Sequence, residues 1–277
     1  MAPPAPFIPP REPLPCPAPP PLRLFLADLH LDGRDTPRAR VFRNLLLRLV
    51  EYAGAAPVEL YILGDLFEFW EEYHRQVAAL YEADLAALES AHAAGVQIAL
   101  AAGNRDFALG RYVVRRLGAR LLGDGARVQI SDARWLWLEH GDLLCTGDRR
   151  YLFYRKIIRS APARLAFRLT PWRLARRFIE RLAEQSREER SGKPASAFEP
   201  DLALARRRLE ATACQVLLCG HTHRPQAEDL GAGYRLLVLP AWCDVQAGYK
   251  EQGGALVPVR FAEDGSPAPA RLDGTPA

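Results

Sequence analysis

Leu24-Phe-Leu-Ala-Asp-Leu-His30 is the stretch of sequence that decides the fold. A short apolar run that ends in Asp-x-His is typical of a buried parallel strand, which delivers polar residues to the carboxyl edge of a sheet. Asp28 and His30 are two residues apart and would share one face of such a strand, as two ligands of one metal ion need. A capping Asp followed by a surface His would leave the same pattern, so the rest of the chain has to decide.

The next seventy residues repeat a strand, a loop and a helix. Strands are predicted over 58–63 and 96–101, and helices with one apolar stripe are predicted over 37–52 and 77–88. Three consecutive units of this kind predict a parallel sheet with helices on its faces. After residue 120 a hairpin is predicted, followed by a helix over 199–212 and a strand over 215–219.

Composition limits the class of protein. The chain has 277 residues, of which 49% are apolar and 25% charged, as expected for a soluble globular protein with one large core or a core and a cap. It has no apolar run long enough to span a bilayer and no secretory signal pattern. Five cysteines without a Cys-x-x-Cys pair favour a reducing compartment, and we expect the cytoplasm.

The charge of the chain is concentrated in one segment. Residues 149–193 are helical in composition and carry fourteen Arg or Lys against four Glu, a net charge of +10, while the whole chain carries +4. The basic residues are interspersed with large apolar ones, so the segment resembles an inserted subdomain more than part of a sheet. We therefore predict a disordered Pro-rich arm (1–21), a core (22–148 and 199–263), a basic helical cap (149–198) and a frayed tail (264–277).

Polar side chains follow five of the predicted strands, and glycines accompany four of these groups. Four of the six histidines of the chain belong to them, whereas His74 and His92 lie on predicted helices and are expected to be plain surface residues. The predicted metal ligands are Asp28, His30, Asp65, Asn104, His140, His221 and His223.

Seven donors of this kind suffice for two metal ions if one carboxylate bridges them. Mixed imidazole, carboxylate and amide donors suit Mn²⁺, Fe, Zn²⁺ or Mg²⁺. Two such ions side by side activate a water molecule and neutralise the oxygens of an in-line phosphoryl transition state. The sequence thus predicts a dimetal phosphoesterase.

The same motifs, in the same order, resemble those of the calcineurin-like metallophosphoesterase superfamily, whose fold is a four-layer αββα sandwich. More narrowly they resemble the family of UDP-2,3-diacylglucosamine pyrophosphatases of lipid A biosynthesis, through the stretches Ala-Asp-Leu-His-Leu (27–31), Tyr-Ile-Leu-Gly-Asp-Leu-Phe-Glu (61–68), Gly-Asn-Arg-Asp-Phe (103–107), His-Gly-Asp (140–142) and Gly-His-Thr-His-Arg-Pro (220–225).

That resemblance implies the roles of individual residues. One ion would be held by Asp28, His30, Asp65 and His223, and the other by the bridging Asp65 with Asn104, His140 and His221; the usual metal is Mn²⁺. The catalytic residues implied are Asp28, His30, Asp65, Asn104, Arg105 and His140. Substrate contacts are implied for Asn104, Arg105, Asp148, Ser186, Arg190, Lys193 and His221, although the family usually has Asn where this chain has Arg190.

Arg105 distinguishes this chain from superfamily members that carry Gly-Asn-His. That histidine can protonate an alkoxide leaving group, whereas a guanidinium does not release its proton at neutral pH. Arg105 can instead bind phosphate oxygens with two donors. A site without an acid suits a leaving group of low basicity, so cleavage of a pyrophosphate is favoured over cleavage of a phosphomonoester. An arginine that only caps the following turn would look the same.

The resemblance and the basic insert together suggest the substrate. Helices that are apolar on one side and rich in arginine on the other can bind acyl chains or lie on an anionic membrane surface, although they can also pack into a core of their own. We predict hydrolysis of UDP-2,3-diacylglucosamine to UMP and 2,3-diacylglucosamine 1-phosphate by a dimetal-activated hydroxide. The enzyme is expected to be peripheral on the cytoplasmic face of the inner membrane, with a lipid-linked nucleotide as substrate and no obligate protein partner.

Two other hypotheses stay open at this point. The basic insert could be a nucleic-acid groove, which would make the protein a dimetal phosphodiesterase or nuclease acting on nucleic acid or on another nucleotide diphosphate, although such a groove does not need so many aliphatic residues. The chain could also be a non-enzymatic scaffold on a decayed phosphoesterase fold. The complete ligand set argues against the scaffold.

Overall fold

Two β-sheets lie face to face at the centre of the fold in a computed structural model that describes residues 21–131, 133–177, 181 and 198–277. The first sheet has the strand order β12-β11-β10-β1-β2-β3-β4, and the second has the order β5-β6-β7-β9-β8. The strands are β1 (Leu22–Leu26), β2 (Val58–Leu63), β3 (Val96–Ala101), β4 (Arg120–Leu121), β5 (Ala126–Ser131), β6 (Arg134–Leu138), β7 (Val216–Cys219), β8 (Gln226–Gly231), β9 (Tyr234–Val238), β10 (Ala247–Gln252), β11 (Ala255–Phe261) and β12 (Pro267–Pro269).

Helices cover the outer faces of both sheets, and further helices lie in the segment inserted after β6. They are α1 (Pro37–Ala53), α2 (Arg75–Leu80), α3 (Glu82–Ala93), α4 (Arg111–Leu117), α5 (Arg149–Ile158), α6 (Ala161–Leu169) and α7 (Leu202–Thr212), and residues 172–177 are also helical. In the first sheet β1 to β4 run parallel, so the carboxyl ends of β1, β2 and β3 lie at one edge of that sheet. In the second sheet β6, β7 and β9 run parallel, so the carboxyl ends of β6 and β7 also share an edge.

Three apolar clusters hold four layers together. Alternation along β1 sends Leu24 and Leu26 toward the helices α1, α3 and α4. Phe25 points toward the second sheet, and its ring stacks at 4.9 Å on that of Tyr61 from the neighbouring strand β2. A third cluster joins the second sheet to α7 through Leu209 and its neighbours. The order helix, sheet, sheet, helix confirms the predicted αββα sandwich, and the helices at 149–177 are inserted between β6 and α7.

Three details differ from the sequence prediction. β1 ends at Leu26, and Asp28 and His30 both have positive φ, so a loop and not the pleat of a strand presents them. The single helix expected over 77–88 is two helices, α2 and α3, which meet at Tyr81 because its ring packs against Phe67 at 4.6 Å. The tail expected to be frayed contains β12, which pairs with β11. Residues 1–20 lie outside the described residues, and the division into core and cap stays a prediction.

A buried ion pair lies between the sheets at the end opposite the polar loops. Arg23 Nε donates to Glu59 Oε2 at 2.8 Å, and the Tyr61 hydroxyl donates to the same oxygen at 2.6 Å. Glu251 Oε2 lies 3.8 Å from the guanidinium of Arg23. All four residues are buried, so the carboxylates depend on these partners for their charge balance.

Arg23→Met is expected to destabilise the fold without affecting the site. The substitution removes the counter-charge of the buried Glu59 carboxylate, which costs about 3–5 kcal/mol in comparable pairs. Urea denaturation measures the free energy of unfolding, and turnover at a permissive temperature serves as the control. A loss below about 1 kcal/mol would mean that Tyr61 and water suffice to solvate the carboxylate.

Candidate dimetal site

Loops from both sheets converge at the edge where the parallel strands end. β1, β2 and β3 lead into Asp28 and His30, Asp65, and Asn104, while β6 and β7 of the second sheet lead into His140 and into the pair His221 and His223. The structure brings all seven predicted ligands into one cluster, in which each lies within 4 Å of another.

The first group contains Asp28, His30, Asp65 and His223. The Nε2 atoms of His30 and His223 are 3.2 Å apart, and His30 Nε2 lies 3.7 Å from Asp65 Oδ2. Asp28 Oδ1 lies 3.7 Å from His223 Nε2 and, among the residues that the structure describes, it has no hydrogen-bond donor although it is fully buried. An anionic oxygen in that position calls for a cation.

The second group shares Asp65 with the first. Asn104 Oδ1 lies 3.1 Å from His140 Nε2 and 3.0 Å from His221 Nδ1, and the two ring nitrogens are 3.2 Å apart. His140 Nε2 is 3.9 Å from Asp65 Oδ2, the oxygen that also faces His30. Asp65 therefore stands between the two groups, where a bridging carboxylate is needed.

In three of the histidines the Nδ1 atom, here called the outer nitrogen, points away from the cluster and has a neighbour of its own. These neighbours indicate which nitrogen of each ring carries the proton. His140 Nδ1 donates to the carbonyl of Leu63 at 2.9 Å, and His223 Nδ1 faces Asp244 Oδ2 at 3.2 Å. His30 Nδ1 lies 3.1 Å from Glu68 Oε2, an electrostatic contact without hydrogen-bond alignment. These partners favour the proton on Nδ1 and leave Nε2 as an acceptor. Acceptor then faces acceptor at the centre of each group, an arrangement that two divalent cations fit.

The field of the carboxylates acts in the same direction. Burial lowers the pKa of His140, but Asp65, Asp28 and Asp142 outweigh it and raise the pKa to about 8, so a proton would occupy Nε2 where no metal ion is bound. Burial and the neighbouring His140 lower the pKa of His221 to about 4, so this ring is neutral at pH 7. Burial raises the pKa of Asp65, but the opposite effect of His140 and His30 is larger. The pKa of this carboxyl is therefore lowered, which favours its ionised form. The cluster thus favours positive charge at its centre.

The backbone conformation at the ligands explains the glycines of the motifs. Asp28, His30, Asp65, His221 and His223 all have positive φ, which L-residues adopt only where the surroundings hold them. A Cβ added to Gly64 would lie 2.2 Å from His140 Nδ1, and one added to Gly103 would lie 2.0 Å from Asp65 Oδ1. The two glycines leave the space that the ligand side chains occupy.

The sequence analysis missed three acidic residues with a structural part in the site. Glu68 and Asp244 face the outer nitrogens of His30 and His223, as described above. Asp106 accepts hydrogen bonds from the backbone N–H groups of Leu66 and Gly103 at 2.8 and 2.6 Å, and so ties the second loop to the third. Burial and the neighbouring Asp65 raise the pKa of Asp106 to about 7. Glu68 and Asp106 lie inside the quoted motifs, which was the available signal; Asp244 gave none.

Arg105 is held at the rim of the first group. Its backbone N–H donates to Asp65 Oδ1 at 2.8 Å, and its guanidinium lies 3.4 Å from Glu68 Oε1. Glu68 therefore contacts both His30 and Arg105. The predicted phosphate contact of Arg105 is a matter of substrate binding and stays a prediction.

The cap residues predicted to bind substrate fall in two places. Asp148 is the N-cap of α5, where its carboxylate accepts from the N–H of Tyr151 at 3.1 Å. Ser186, Arg190 and Lys193 lie outside the described residues. α5 is fixed to the core by Asp142, which follows the ligand His140 and accepts from Tyr151 and Arg155 at 2.5 and 2.7 Å.

The two histidines expected on helix surfaces have different surroundings. His92 is on the last turn of α3 and is exposed, as predicted. The prediction for His74 was wrong, because the residue precedes α2 and its ring is enclosed between Glu71 and the cap. Its helical neighbours in sequence gave no indication of this contact.

Comparison with known proteins gives the family. No family model matches the chain. It is 32% identical over 243 residues to the UDP-2,3-diacylglucosamine hydrolase of Aeromonas hydrophila, which covers 84% of this chain and 93% of that protein. The identity to the hydrolase of the same name from Aeromonas salmonicida is 35% over 245 residues, covering 84% and 88%. For the one from Neisseria gonorrhoeae it is 32% over 219 residues, covering 79% and 88%.

Solved structures show a weaker similarity. Vps29 from Entamoeba histolytica complexed with Zn²⁺ matches with a TM-score of 0.42 and 15% identity, covering 89% of this chain and 95% of that one. A dimetal phosphatase from Danio rerio matches with a TM-score of 0.41 and 10% identity, covering 87% and 92%. The identity of more than 30% along about four fifths of its length shows that the chain belongs to the UDP-2,3-diacylglucosamine hydrolase family.

Proposed function

We propose that this protein hydrolyses the pyrophosphate bond of UDP-2,3-diacylglucosamine and releases UMP and 2,3-diacylglucosamine 1-phosphate. The observation that carries the proposal is the complete cluster of seven donors, shared by two groups through Asp65, in a chain whose relatives are named for this substrate. None of the relatives reported above is named as a nuclease.

The two groups of donors define the proposed metal sites. Asp28, His30, Asp65 and His223 would hold one ion, and Asp65, Asn104, His140 and His221 would hold the other. Imidazole, carboxylate and amide donors suit Mn²⁺, Fe, Zn²⁺ or Mg²⁺, and the family resemblance favours Mn²⁺ among them. When bound, the two ions supply an activated water molecule and neutralise phosphate oxygens.

The side chains of the protein bind and orient the substrate. Arg105, at the rim of the first group, would bind oxygens of the diphosphate with two donors and stabilise the charge that develops on them. Asn104 and His221, whose Oδ1 and Nδ1 atoms are 3.0 Å apart, would contact the phosphate that is attacked. Arg105 does not release a proton and so cannot act as a general acid. A sugar 1-phosphate can leave without one, because its leaving oxygen is only weakly basic.

Incubation of the purified chain with UDP-2,3-diacylglucosamine, Mn²⁺ and detergent tests the reaction. In ¹⁸O water we expect UMP to be released with the label on its phosphate, since attack on the α-phosphorus leaves the diacylglucosamine 1-phosphate unlabelled. Label in the lipid product would contradict the proposed point of attack. Absence of any UMP with a full metal complement would contradict the proposed substrate.

We further propose that the cap binds the acyl part of the substrate and rests on an anionic membrane surface, at the cytoplasmic face of the inner membrane. The helices α5 and α6 contain no buried residue, and Phe153 and Leu169 are 68% and 73% exposed. The two helices also carry six Arg or Lys, namely Arg149, Arg150, Arg155, Lys156, Arg164 and Arg168. Exposed apolar groups beside cations are typical of an interfacial surface. No helix among the described residues is long and apolar enough to cross a bilayer.

Partition onto vesicles of phosphatidylglycerol measures this surface. Replacing Phe153 and Leu169 together by Ser is expected to weaken binding about tenfold or more, because each buried apolar side chain contributes about 1.5–3 kcal/mol when fully transferred. The matched control is Leu47→Ser, which removes a side chain of 61% exposure from α1. If the double variant and the control bind the vesicles equally, the cap does not contact the membrane. Binding to single-stranded DNA in place of vesicles would revive the nuclease hypothesis.

A further inference from the structure

Residues 68–74, here called the clasp segment, connect β2 to α2 and contact both the metal-ligand loops and the cap. At its start, Glu68 faces His30 Nδ1 at 3.1 Å and Arg105 at 3.4 Å. At its end, His74 reaches the helices of the cap. One short segment therefore touches both parts of the proposed substrate site.

His74 makes a directed contact with each of its ring nitrogens. Nε2 lies 2.8 Å from the carbonyl oxygen of Thr170, and Nδ1 lies 2.8 Å from Glu71 Oε1. Glu71 is itself fixed, because its other carboxylate oxygen accepts the backbone N–H groups of Tyr73 and His74. The imidazole is thus held between a fixed carboxylate of the core and a carbonyl of the cap.

The carbonyl that His74 contacts belongs to the C-cap of α6. Thr170 ends that helix, and the carbonyls of a last helical turn have no partner within the helix. Aromatic side chains surround the contact: the ring of Phe167 lies 5.9 Å from His74 and 6.5 Å from Phe69, and the ring of Trp172 lies 5.5 Å from His74. The contact is therefore partly shielded from water, where a hydrogen bond is stronger.

Contacts with the core fix the cap helices at both ends of the α5–α6 pair. Since α5 and α6 contain no buried residue, they have no core of their own to fix their place. At the α5 end, Asp142 accepts from Tyr151 and Arg155, and Arg159 donates to the carbonyl of Gly103 at 3.0 Å. At the α6 end, His74 contacts the carbonyl of Thr170, and Trp172 packs against the main apolar cluster. His74 is therefore the polar contact of the clasp segment with the end of α6.

We propose that His74 is a positioning residue that keeps the α6 end of the cap in register with the metal-ligand loops. It would thereby set the distance between the place where acyl chains bind and the place where the diphosphate is cleaved. The kinetic part of this proposal rests on the proposed function, whereas its structural part does not.

Hydrogen exchange of the purified full chain tests the structural part. The variants are His74→Gln, which has one donor group and can reach only one of the two acceptors, and His74→Ala. The matched control is His92→Gln, at the exposed histidine on α3. We expect the amides of 161–177 to exchange about fivefold or more faster in His74→Ala, less so in His74→Gln, with the amides of β1–β3 unchanged, since one or two hydrogen bonds are lost locally. Unchanged exchange over 161–177 in both variants would overturn the proposal.

Steady-state kinetics test the positioning part. With UDP-2,3-diacylglucosamine, His74→Ala is expected to raise KM about tenfold while kcat changes less than about threefold. Hydrolysis of bis(p-nitrophenyl) phosphate, which has no acyl chain, should stay within about twofold of the unsubstituted protein. His74→Gln is the milder change. If it lowers kcat/KM equally for both substrates, His74 contributes to the general stability of the fold, and the proposal is overturned. If the unsubstituted protein cleaves only the small diester, the proposed substrate fails while the exchange result still decides the role of His74.

Discussion

Asp65→Asn is expected to abolish turnover, with a loss of at least about 10³-fold, because Asp65 is the one proposed ligand that both groups of donors share. Removing a partner that merely orients a metal ligand typically costs 10–100-fold, and a bridging ligand contributes more. The amide keeps the shape of the side chain and can still accept the N–H of Arg105, but it lacks the negative charge that faces His30 and His140.

Metal content separates this prediction from simple unfolding. Mass spectrometry of the purified protein should give close to two ions for the unsubstituted chain and one or none for Asp65→Asn, with the thermal midpoint of the variant showing that it is folded. Asp35→Asn, which changes an exposed carboxylate outside the cluster, is the control and should retain both ions. A variant with near-normal turnover would remove Asp65 from the metal site.

Arg105→Ala is expected to slow turnover about 10²-fold while leaving the metal content intact. A preorganised donor to a charge that develops in the transition state is worth 10²–10³ in kcat in other enzymes. Arg105 supplies only its backbone N–H to the ligand Asp65, and alanine keeps that group, so the cluster itself should persist. The loss should appear mainly in kcat, because the proposed contact strengthens as charge develops.

Arg105→Lys distinguishes charge from geometry. A lysine keeps the positive charge but offers a point donor in place of two parallel ones, so we expect a rate between those of the arginine and alanine forms. An unchanged rate in Arg105→Ala would leave Arg105 with no part in catalysis beyond its contact with Glu68.

The predictable part of the site followed from the parallel strands. Apolar runs that end in polar residues place those residues at a common edge, and this was enough to bring Asp28, Asp65 and His140 together across two sheets. The details of the backbone were not predictable in the same way. The pleat of a strand was expected to align Asp28 with His30, whereas a left-handed loop conformation does so, and alternation along a sequence carries no information about positive φ.

Residues that orient a proposed metal ligand, without being ligands themselves, were also hard to predict from the sequence. Glu68 lies inside a quoted motif, but its contact with the outer nitrogen of His30, like that of Asp244 with His223, required the positions of the two rings. His74 was expected on a helix surface because the segment around it has a helical stripe, but its ring contacts a carbonyl 96 residues away in sequence. Contacts of such separation depend on where the cap lies, which no local pattern encodes.

Each group of donors draws on both sheets, and this has a mechanical consequence. The first combines Asp28, His30 and Asp65 with His223, and the second combines Asp65 and Asn104 with His140 and His221, so every bound ion would act as a cross-link between the two halves of the sandwich. Metal loading and resistance to heat are then coupled by mass action, and a preparation stripped of its ions should open first along the seam between the sheets.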